Sequence, residues 1–170
     1  MFTVTKTDLP SGTLLQRYSQ RADCFTDCFF IDLSGDITLE EFVMSFYKTW
    51  LFNLEKWILD RTIKRPSDDD VLAALASGRG PAYAAWDVED RAENQLLLAD
   101  ISGGRTRSWL MAQPQEGATT RLYFGSAVLP PREGAGLEPM FTALLGFHNL
   151  YSYGLLGACA RDLRLTKGAV

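Results

Sequence analysis

Residues Met140–Ala160 read MFTALLGFHNLYSYGLLGACA, a long stretch without a single Asp, Glu, Lys or Arg. Pro139 precedes it, and proline is well tolerated in the first turn of a helix. We therefore predict a long C-terminal helix that begins at this proline. The helix contains His148, which is the one histidine of the chain.

Two interpretations of this uncharged helix are open. It is long enough to cross a membrane, but His148, Asn149 and several glycines raise the cost of insertion into lipid. A buried helix that covers the apolar face of a sheet fits the composition better, because small residues let a helix lie close to strands. We expect this second arrangement and no stable insertion into a membrane.

The segment before the helix has the pattern of a β-meander. Between Ala82 and Leu129 the runs YAAWDVE, QLLLADI, TRSWLMAQ and TRLYFGSAVL are separated by DRAEN, SGGR and PQEGA. Short apolar runs bounded by such turn residues predict antiparallel strands. An earlier run, DCFFIDL at Asp27–Leu33, predicts a further strand.

The turn chemistry predicts a register for the meander. We take Gly103-Gly104 and Glu116-Gly117 as two-residue hairpin turns. The resulting pairs are Asp100 with Arg107, Leu98 with Trp109, and Trp109 with Phe124.

This register gives the sheet one strongly apolar face. The face carries Trp86, Val88, Leu96, Leu98, Trp109, Met111, Leu122, Phe124 and Val128, with Asp100, Arg107 and Ser126 at one end. The opposite face mixes polar and apolar residues and is predicted to be half exposed, which would suit a homodimer. A slip of one residue would invert these faces.

Two helices are predicted between the first strand and the meander. Thr38-Leu39-Glu40-Glu41 fits a capping box, and an apolar stripe with gaps of three and four continues to Ile58, so one continuous helix should end before Pro66. Ser67-Asp68-Asp69-Asp70 begins a second helix closed by Gly78. The aspartates are interpreted as compensation of the helix dipole rather than a metal cluster.

Composition excludes several classes of function. The length of 170 residues predicts one domain over residues 1–170. The net charge of −4 disfavours binding to nucleic acid or anionic lipid. The opening MFTVTKTDLPSG lacks the pattern of a secretory signal. Three cysteines without metal-ligand spacing indicate reduced thiols in a cytoplasmic protein, with no metal and no cofactor.

The order of these elements resembles the helix-grip fold of the START and Bet v 1-like (SRPBCC) superfamily. The chain is also similar to a bacterial family of unknown function in RADCFTDCFFIDLSGDITLEEFVMSFYKTW, in DRAENQLLLADISG, and in LYFGSAVLPP followed by FHNLYSYGLLGACARDL. The resemblance implies an α+β fold in which an antiparallel meander wraps a long C-terminal helix around a cavity, with two helices inserted after the first strand. It implies no catalytic residues.

The leading hypothesis is that this cavity binds a small, apolar or amphipathic ligand. The candidate binding residues are Asp100, Arg107, Trp109, Phe124, Ser126, His148 and Tyr151. Three of these residues also have a purely structural interpretation. Asp100 and Arg107 could form an ordinary cross-strand ion pair, and His148 could be a core histidine bonded to a carbonyl or hydroxyl.

Two rival hypotheses remain open. The superfamily includes cyclases and dehydratases that use acid–base residues in the cavity, which here would be His148 with Asp100 or Tyr151. A triad of Ser126, His148 and Asp100 has no support from sequence spacing. The other rival is a non-catalytic interaction module that forms a dimer through the mixed face of the sheet.

Overall fold

The computed structural model describes residues 3–50, 52, 67–101, 103–132 and 139–167, and of residues 139–148 and 167 it describes the backbone alone. The elements are β1 (Thr5–Lys6), α1 (Gln16–Ser19), β2 (Phe25–Ser34), α2 (Leu39–Lys48), α3 (Asp69–Ala76), β3 (Ala82–Tyr83), β4 (Trp86–Ala92), β5 (Gln95–Asp100), β6 (Thr106–Gln115), β7 (Thr119–Val128) and α4 (Pro139–Lys167). The described strands form a seven-stranded antiparallel sheet in the order β1-β2-β7-β6-β5-β4-β3.

Helices α2 and α4 cover one face of this sheet, which we call the inner face. Its buried side chains include Phe29, Ile31, Leu96, Leu98, Leu110, Leu122 and Phe124, and they form one core with apolar residues of α2, α3 and α4. The predicted fold class is confirmed: an antiparallel meander packs against a long C-terminal helix, and two helices follow the first predicted strand. Within the described residues, none of the helices has the length and apolarity needed to cross a membrane.

Helix α2 begins as predicted but ends early. The Thr38 hydroxyl accepts from the Glu41 N–H at 3.2 Å, and the Glu41 carboxylate accepts from the Thr38 N–H at 2.8 Å, which completes the capping box. The predicted continuous helix is wrong at Thr49, whose backbone is extended. The Thr49 hydroxyl donates to the Phe46 carbonyl and accepts from the Phe52 N–H, so it ends one helix and caps the next turn. The predicted stripe beyond Phe52 lies outside the described residues.

Helix α3 follows the sequence prediction closely. The Asp68 carboxylate accepts from the Val71 N–H at 3.0 Å and serves as the N-cap. Gly78 follows the helix with φ +80°, a left-handed conformation that suits glycine at a helix C-terminus. Two further acidic residues, Asp69 and Asp70, occupy the first turn, where their negative charges interact favourably with the helix dipole.

The predicted register of β6 is wrong by one residue on both sides. Residue Ala99, rather than Asp100, lies opposite Arg107. Trp109 lies opposite Leu97 and Gly125, rather than Leu98 and Phe124. Because both shifts occur around β6, this strand alone is inverted relative to its neighbours, while β5 and β7 keep their predicted faces.

The two loops explain this inversion. The β6–β7 connection has three residues, Glu116, Gly117 and Ala118, of which Gly117 has φ +71° and Ala118 has φ +49°. At the β5–β6 connection, the carboxylate of Asp100, the last residue of β5, accepts from the N–H groups of Gly103 at 2.9 Å and Thr106 at 2.6 Å. Both connections are therefore longer than the assumed two-residue turns.

The other face of the sheet, the outer face, is covered by the chain's own N-terminal segment, residues 9–24. Buried Leu15 and Tyr18 of this segment form a second core with the outer-face residues Cys28, Leu97, Trp109, Met111, Tyr123 and Ala127. The prediction of a half-exposed mixed face is therefore wrong where these residues lie. The Gln95 side-chain oxygen fixes the segment, because it accepts from the Leu14 N–H at 2.9 Å and from Trp109 Nε1 at 3.0 Å.

Candidate functional site

A cavity of about 120 Å³ lies on the inner face, between the sheet and helices α2 and α4. It is bordered by Phe46, Tyr47, Phe52, Trp86, Thr106, Arg107, Ser108, Phe124, Ser126, Tyr151 and Leu155. Aromatic rings and hydroxyl groups dominate this set. A concave, mostly apolar space with a few polar groups is the usual form of a small-molecule site.

The apolar wall is a contiguous group of aromatic rings. The spacing of α2 directs Phe46 onto the sheet, where its ring centroid is 4.9 Å from that of Phe124. Tyr47 packs edge-on against Phe52, with centroids 4.7 Å apart. These rings are large, buried and held by one another, so the wall is preformed rather than assembled around a ligand.

The polar wall is formed by Ser108 and Ser126 on neighbouring strands, and Asp27 on the next strand adjoins it outside the cavity lining. Ser108 lies directly opposite Ser126, and Ser126 lies directly opposite Asp27. The Ser126 hydroxyl donates to Asp27 Oδ1 at 2.6 Å, and the Ser126 N–H donates to the same oxygen at 3.1 Å. From α2, the Tyr47 hydroxyl comes within 3.5 Å of Ser108 Oγ.

Asp27 was not among the residues selected from the sequence. Its side chain is only 5% exposed, and a carboxylate is seldom buried unless it is hydrogen-bonded. A signal was present, because alternation along DCFFIDL places Asp27 on the same face as Phe29, Ile31 and Leu33. An acidic residue on the otherwise apolar face of this strand was the sequence signal for a buried polar group.

Trp86 borders the cavity on the side formed by β4. The residue is 9% exposed, and its Nε1 has no hydrogen-bond partner among the described residues. A buried indole N–H usually finds an acceptor. One residue that borders the cavity therefore carries a buried N–H without an acceptor among the described residues.

Of the residues predicted from sequence, Phe124, Ser126 and Tyr151 border the cavity together. Arg107 borders it too, but its guanidinium group binds on the outer face, where Nε donates to the Tyr18 hydroxyl at 3.0 Å and pairs with Glu89. The guanidinium also donates to the Gly104 carbonyl at 2.7 Å. Its partners are therefore outer-face and turn groups, contrary to the predicted register.

Trp109 and Asp100 are placed elsewhere, and the side chain of His148 is not among those described. Trp109 is buried on the outer face and is not part of the cavity wall. The Asp100 carboxylate caps the β5–β6 turn, and its cross-strand partner is Trp86. His148 belongs to α4, but its side chain lies outside the described residues.

A charged network on the outer face fastens the N-terminal segment to the sheet. A register irregularity at Val88 and Asp90 brings the carboxylates of Glu89 and Asp90 to this face. Asp90 pairs with Arg17, while Glu89 accepts from the Tyr18 hydroxyl at 2.5 Å. The hydrogen bond from Arg17 lowers the pKa of Asp90, and burial, followed by the bond to Glu89, raises the pKa of Tyr18.

The cysteines do not supply a reactive group to the cavity. Burial raises the pKa of Cys28 and of Cys159 to about 12, which keeps both as thiols at neutral pH. Cys24, Cys28 and Cys159 are all free of disulfides. Across the described part of the chain, no group of three or more His, Cys, Asp or Glu side chains is arranged to hold a metal ion.

Comparison with known proteins gives little further information. No family model and no curated protein matches this sequence. Among solved structures, the chain is similar to the crystal structure of CalU16 from Micromonospora echinospora, with 13% sequence identity and a TM-score of 0.38. The match covers 99% of this chain and 91% of CalU16, but the superposition is too loose to support a statement about fold or function.

Proposed function

We propose that this protein binds a small, partly apolar molecule in the cavity between its sheet and helices α2 and α4. The observation that carries the proposal is the preformed aromatic wall, which borders the same small cavity as the hydroxyl groups of Ser108 and Ser126. Trp86, which borders the same cavity, has a buried N–H without an acceptor among the described residues. Apolar contact would supply most of the affinity, and the polar groups would fix the orientation.

The volume restricts the ligand to about one ring. Apolar cavities of about 150 Å³ are large enough to hold benzene, and this cavity measures about 120 Å³. A single aromatic ring or a compact branched chain would fill it. A long acyl chain or a fused polycyclic molecule would require the surrounding helices to move.

Ligand binding is favoured over the two rival hypotheses by the placement of the residues. A cavity enzyme would pair His148 with Asp100 or Tyr151, and of these two partners the Asp100 carboxylate instead accepts from the backbone N–H groups of the β5–β6 turn. A dimer through the mixed face would need an open outer face, but residues 9–24 of the same chain cover it.

The same proposal includes the family and the location of the protein. We assign the chain to the START and Bet v 1-like superfamily, and within it to the bacterial family whose motifs it resembles; the order of its strands and helices supports this assignment. The free cysteines support a cytoplasmic location.

Calorimetric titration with toluene tests the proposal. Toluene is expected to bind the unmodified protein, and Ser108→Leu is expected to abolish binding because the added side chain fills part of the cavity. Ser19→Leu is the matched control, since it makes the same chemical change at an exposed position of α1. Equal toluene affinity in both variants, or no binding to the unmodified protein, would refute the proposal.

A further inference from the structure

The indole N–H of Trp86 is a donor whose requirement is fixed by its chemistry. The residue is 9% exposed and belongs to the core of the inner face. Its Nε1 has no hydrogen-bond partner among the described residues. An indole nitrogen donates and cannot accept, so no change of tautomer or rotation of a proton alters what it needs. Only an acceptor atom can satisfy this group.

The polar groups around the cavity do not provide that acceptor. Ser108 and Ser126 border the same cavity as Trp86, and both carry hydroxyl groups that are able to accept. Neither hydroxyl hydrogen-bonds to the indole nitrogen, because this nitrogen has no partner among the described residues. The cavity lies beside Trp86 and can take up a further molecule.

The position of Trp86 beside the cavity is fixed by its neighbours. Tyr83 on β3 and Asp100 on β5 lie directly opposite it, so strands hold it on both sides. The ring of Tyr83 packs against Tyr47 and Phe52, with centroids 5.7 and 6.3 Å apart. The tryptophan is therefore part of a preformed wall.

We infer that the cavity favours ligands that present a hydrogen-bond acceptor to Trp86 Nε1, which makes Trp86 a specificity-determining residue of the site. The inference rests on the proposed ligand-binding function and narrows it to a class: compact, one-ring molecules with a ring nitrogen or a carbonyl oxygen. Such a ligand satisfies the buried N–H, whereas a hydrocarbon ring leaves it unpaired in surroundings of low polarity.

Calorimetric titration with benzene and pyridine tests the inference, at about pH 8, where pyridine is neutral. The two rings have the same shape, and pyridine replaces one C–H with a nitrogen acceptor. The measured quantity is the affinity for pyridine relative to benzene in the unmodified protein, compared with the same ratio in a variant, so the hydration of the free rings cancels. This relative affinity is expected to be about three- to tenfold lower in Trp86→Phe, which corresponds to the usual net contribution of one hydrogen bond.

Trp109→Phe is the matched control. It makes the same chemical change at a buried tryptophan of the outer face, whose Nε1 donates to Gln95 at 3.0 Å. The relative affinity for pyridine should change by no more than about twofold in this variant, because no group that borders the cavity is altered.

Nuclear magnetic resonance gives a second measurement, which does not depend on a variant and decides the question if Trp86→Phe does not fold. The Trp86 indole proton should move further downfield on saturation with pyridine than with benzene, because a hydrogen bond deshields it. The Trp109 indole proton is already bonded to Gln95 and should respond equally to both rings.

The possible outcomes separate the two proposals. An unchanged relative affinity in Trp86→Phe, an equal loss in both tryptophan variants, or an equal response of the Trp86 indole proton to both rings would overturn the acceptor selection and leave ring binding intact. Failure of both rings to bind the unmodified protein would refute the cavity function itself, and the inference with it.

Discussion

Trp109 lies directly opposite Gly125 across the β6–β7 ladder, and a Cβ atom built on Gly125 would be only 3.0 Å from Trp109 Cε3. The same Cβ would be 2.8 Å from the Asp27 carbonyl oxygen. The outer face is thus packed tightly enough that one methyl group does not fit. This close packing holds β2, β7 and β6 together, and these strands carry the polar wall on their other face.

Gly125→Ala is therefore expected to destabilise the protein by about 1–3 kcal/mol, through overpacking against the Asp27 carbonyl oxygen, which cannot rotate away, and against the side chains of Leu15 and Trp109. Chemical denaturation would measure the loss. Gly157→Ala is the matched control: its new methyl group would meet only Val4 at 3.9 Å, and alanine favours a helix by up to about 1 kcal/mol. Equal stability of the two variants would contradict the packing described for the outer face.

Thr120 connects the sheet to the start of α2. Its hydroxyl donates to the Gly35 carbonyl at 2.8 Å and accepts from the Ile37 N–H at 3.0 Å, and it is only 1% exposed. Thr120→Val keeps the shape but leaves the Ile37 N–H unsatisfied, at an expected cost of about 1–3 kcal/mol. Thr119→Val, at a more exposed neighbouring position, should change the free energy of unfolding by less than about 0.5 kcal/mol. The reverse order of the two costs would contradict this role of Thr120.

Two tryptophans separate stability from binding. Trp109→Phe loses the hydrogen bond to Gln95 on the outer face, so it should lower stability by about 1–3 kcal/mol and leave toluene affinity within about twofold. Trp86→Phe removes contact area from the cavity wall and should weaken toluene binding severalfold. Calorimetry and denaturation on both variants check this. Loss of toluene binding in Trp109→Phe alone would contradict the outer-face position of Trp109 and would favour the register predicted from the sequence.

Asp90 makes the attachment of the N-terminal segment dependent on pH. The hydrogen bond from Arg17 lowers the pKa of Asp90 in the folded protein. The pair therefore stabilises the fold above the unfolded pKa of about 4 and loses this contribution as the pH falls through the folded pKa. The difference in unfolding free energy between the unmodified protein and Asp90→Asn should shrink as the pH is lowered from 6 to below that range. A difference that grows on acidification would contradict the assigned pair.

The sequence predicts the elements better than the way they pair. Thr38 with Glu41, Asp68 and Gly78 locate both ends of α3 and the start of α2, because capping uses local side-chain chemistry. The side chains of β6 give no comparable local signal for which face of the sheet each residue lies on. Trp109, Leu110, Met111 and Ala112 are all apolar, so the strand has no two-residue alternation to fix its faces.

The register then depended on loop lengths that the sequence does not reveal. Ala118 adopts φ +49°, a conformation that turn propensities assign to glycine or asparagine, and this makes the β6–β7 loop one residue longer than predicted. Phe124 and Ser126 border the cavity because β7 keeps its predicted face, and Tyr151 borders it from α4. Because β6 is inverted relative to the prediction, Trp109 and the Arg107 guanidinium lie on the outer face rather than on the inner face.

The location of a bound ring is the most direct test of the central claim. Intermolecular nuclear Overhauser effects between the ring protons of toluene and the protein would measure it. The account predicts contacts with Phe46, Phe124 and Leu155 on the inner face, all of which border the cavity. Contacts confined to outer-face residues such as Tyr18 and Met111, or no contacts at saturating toluene, would contradict it.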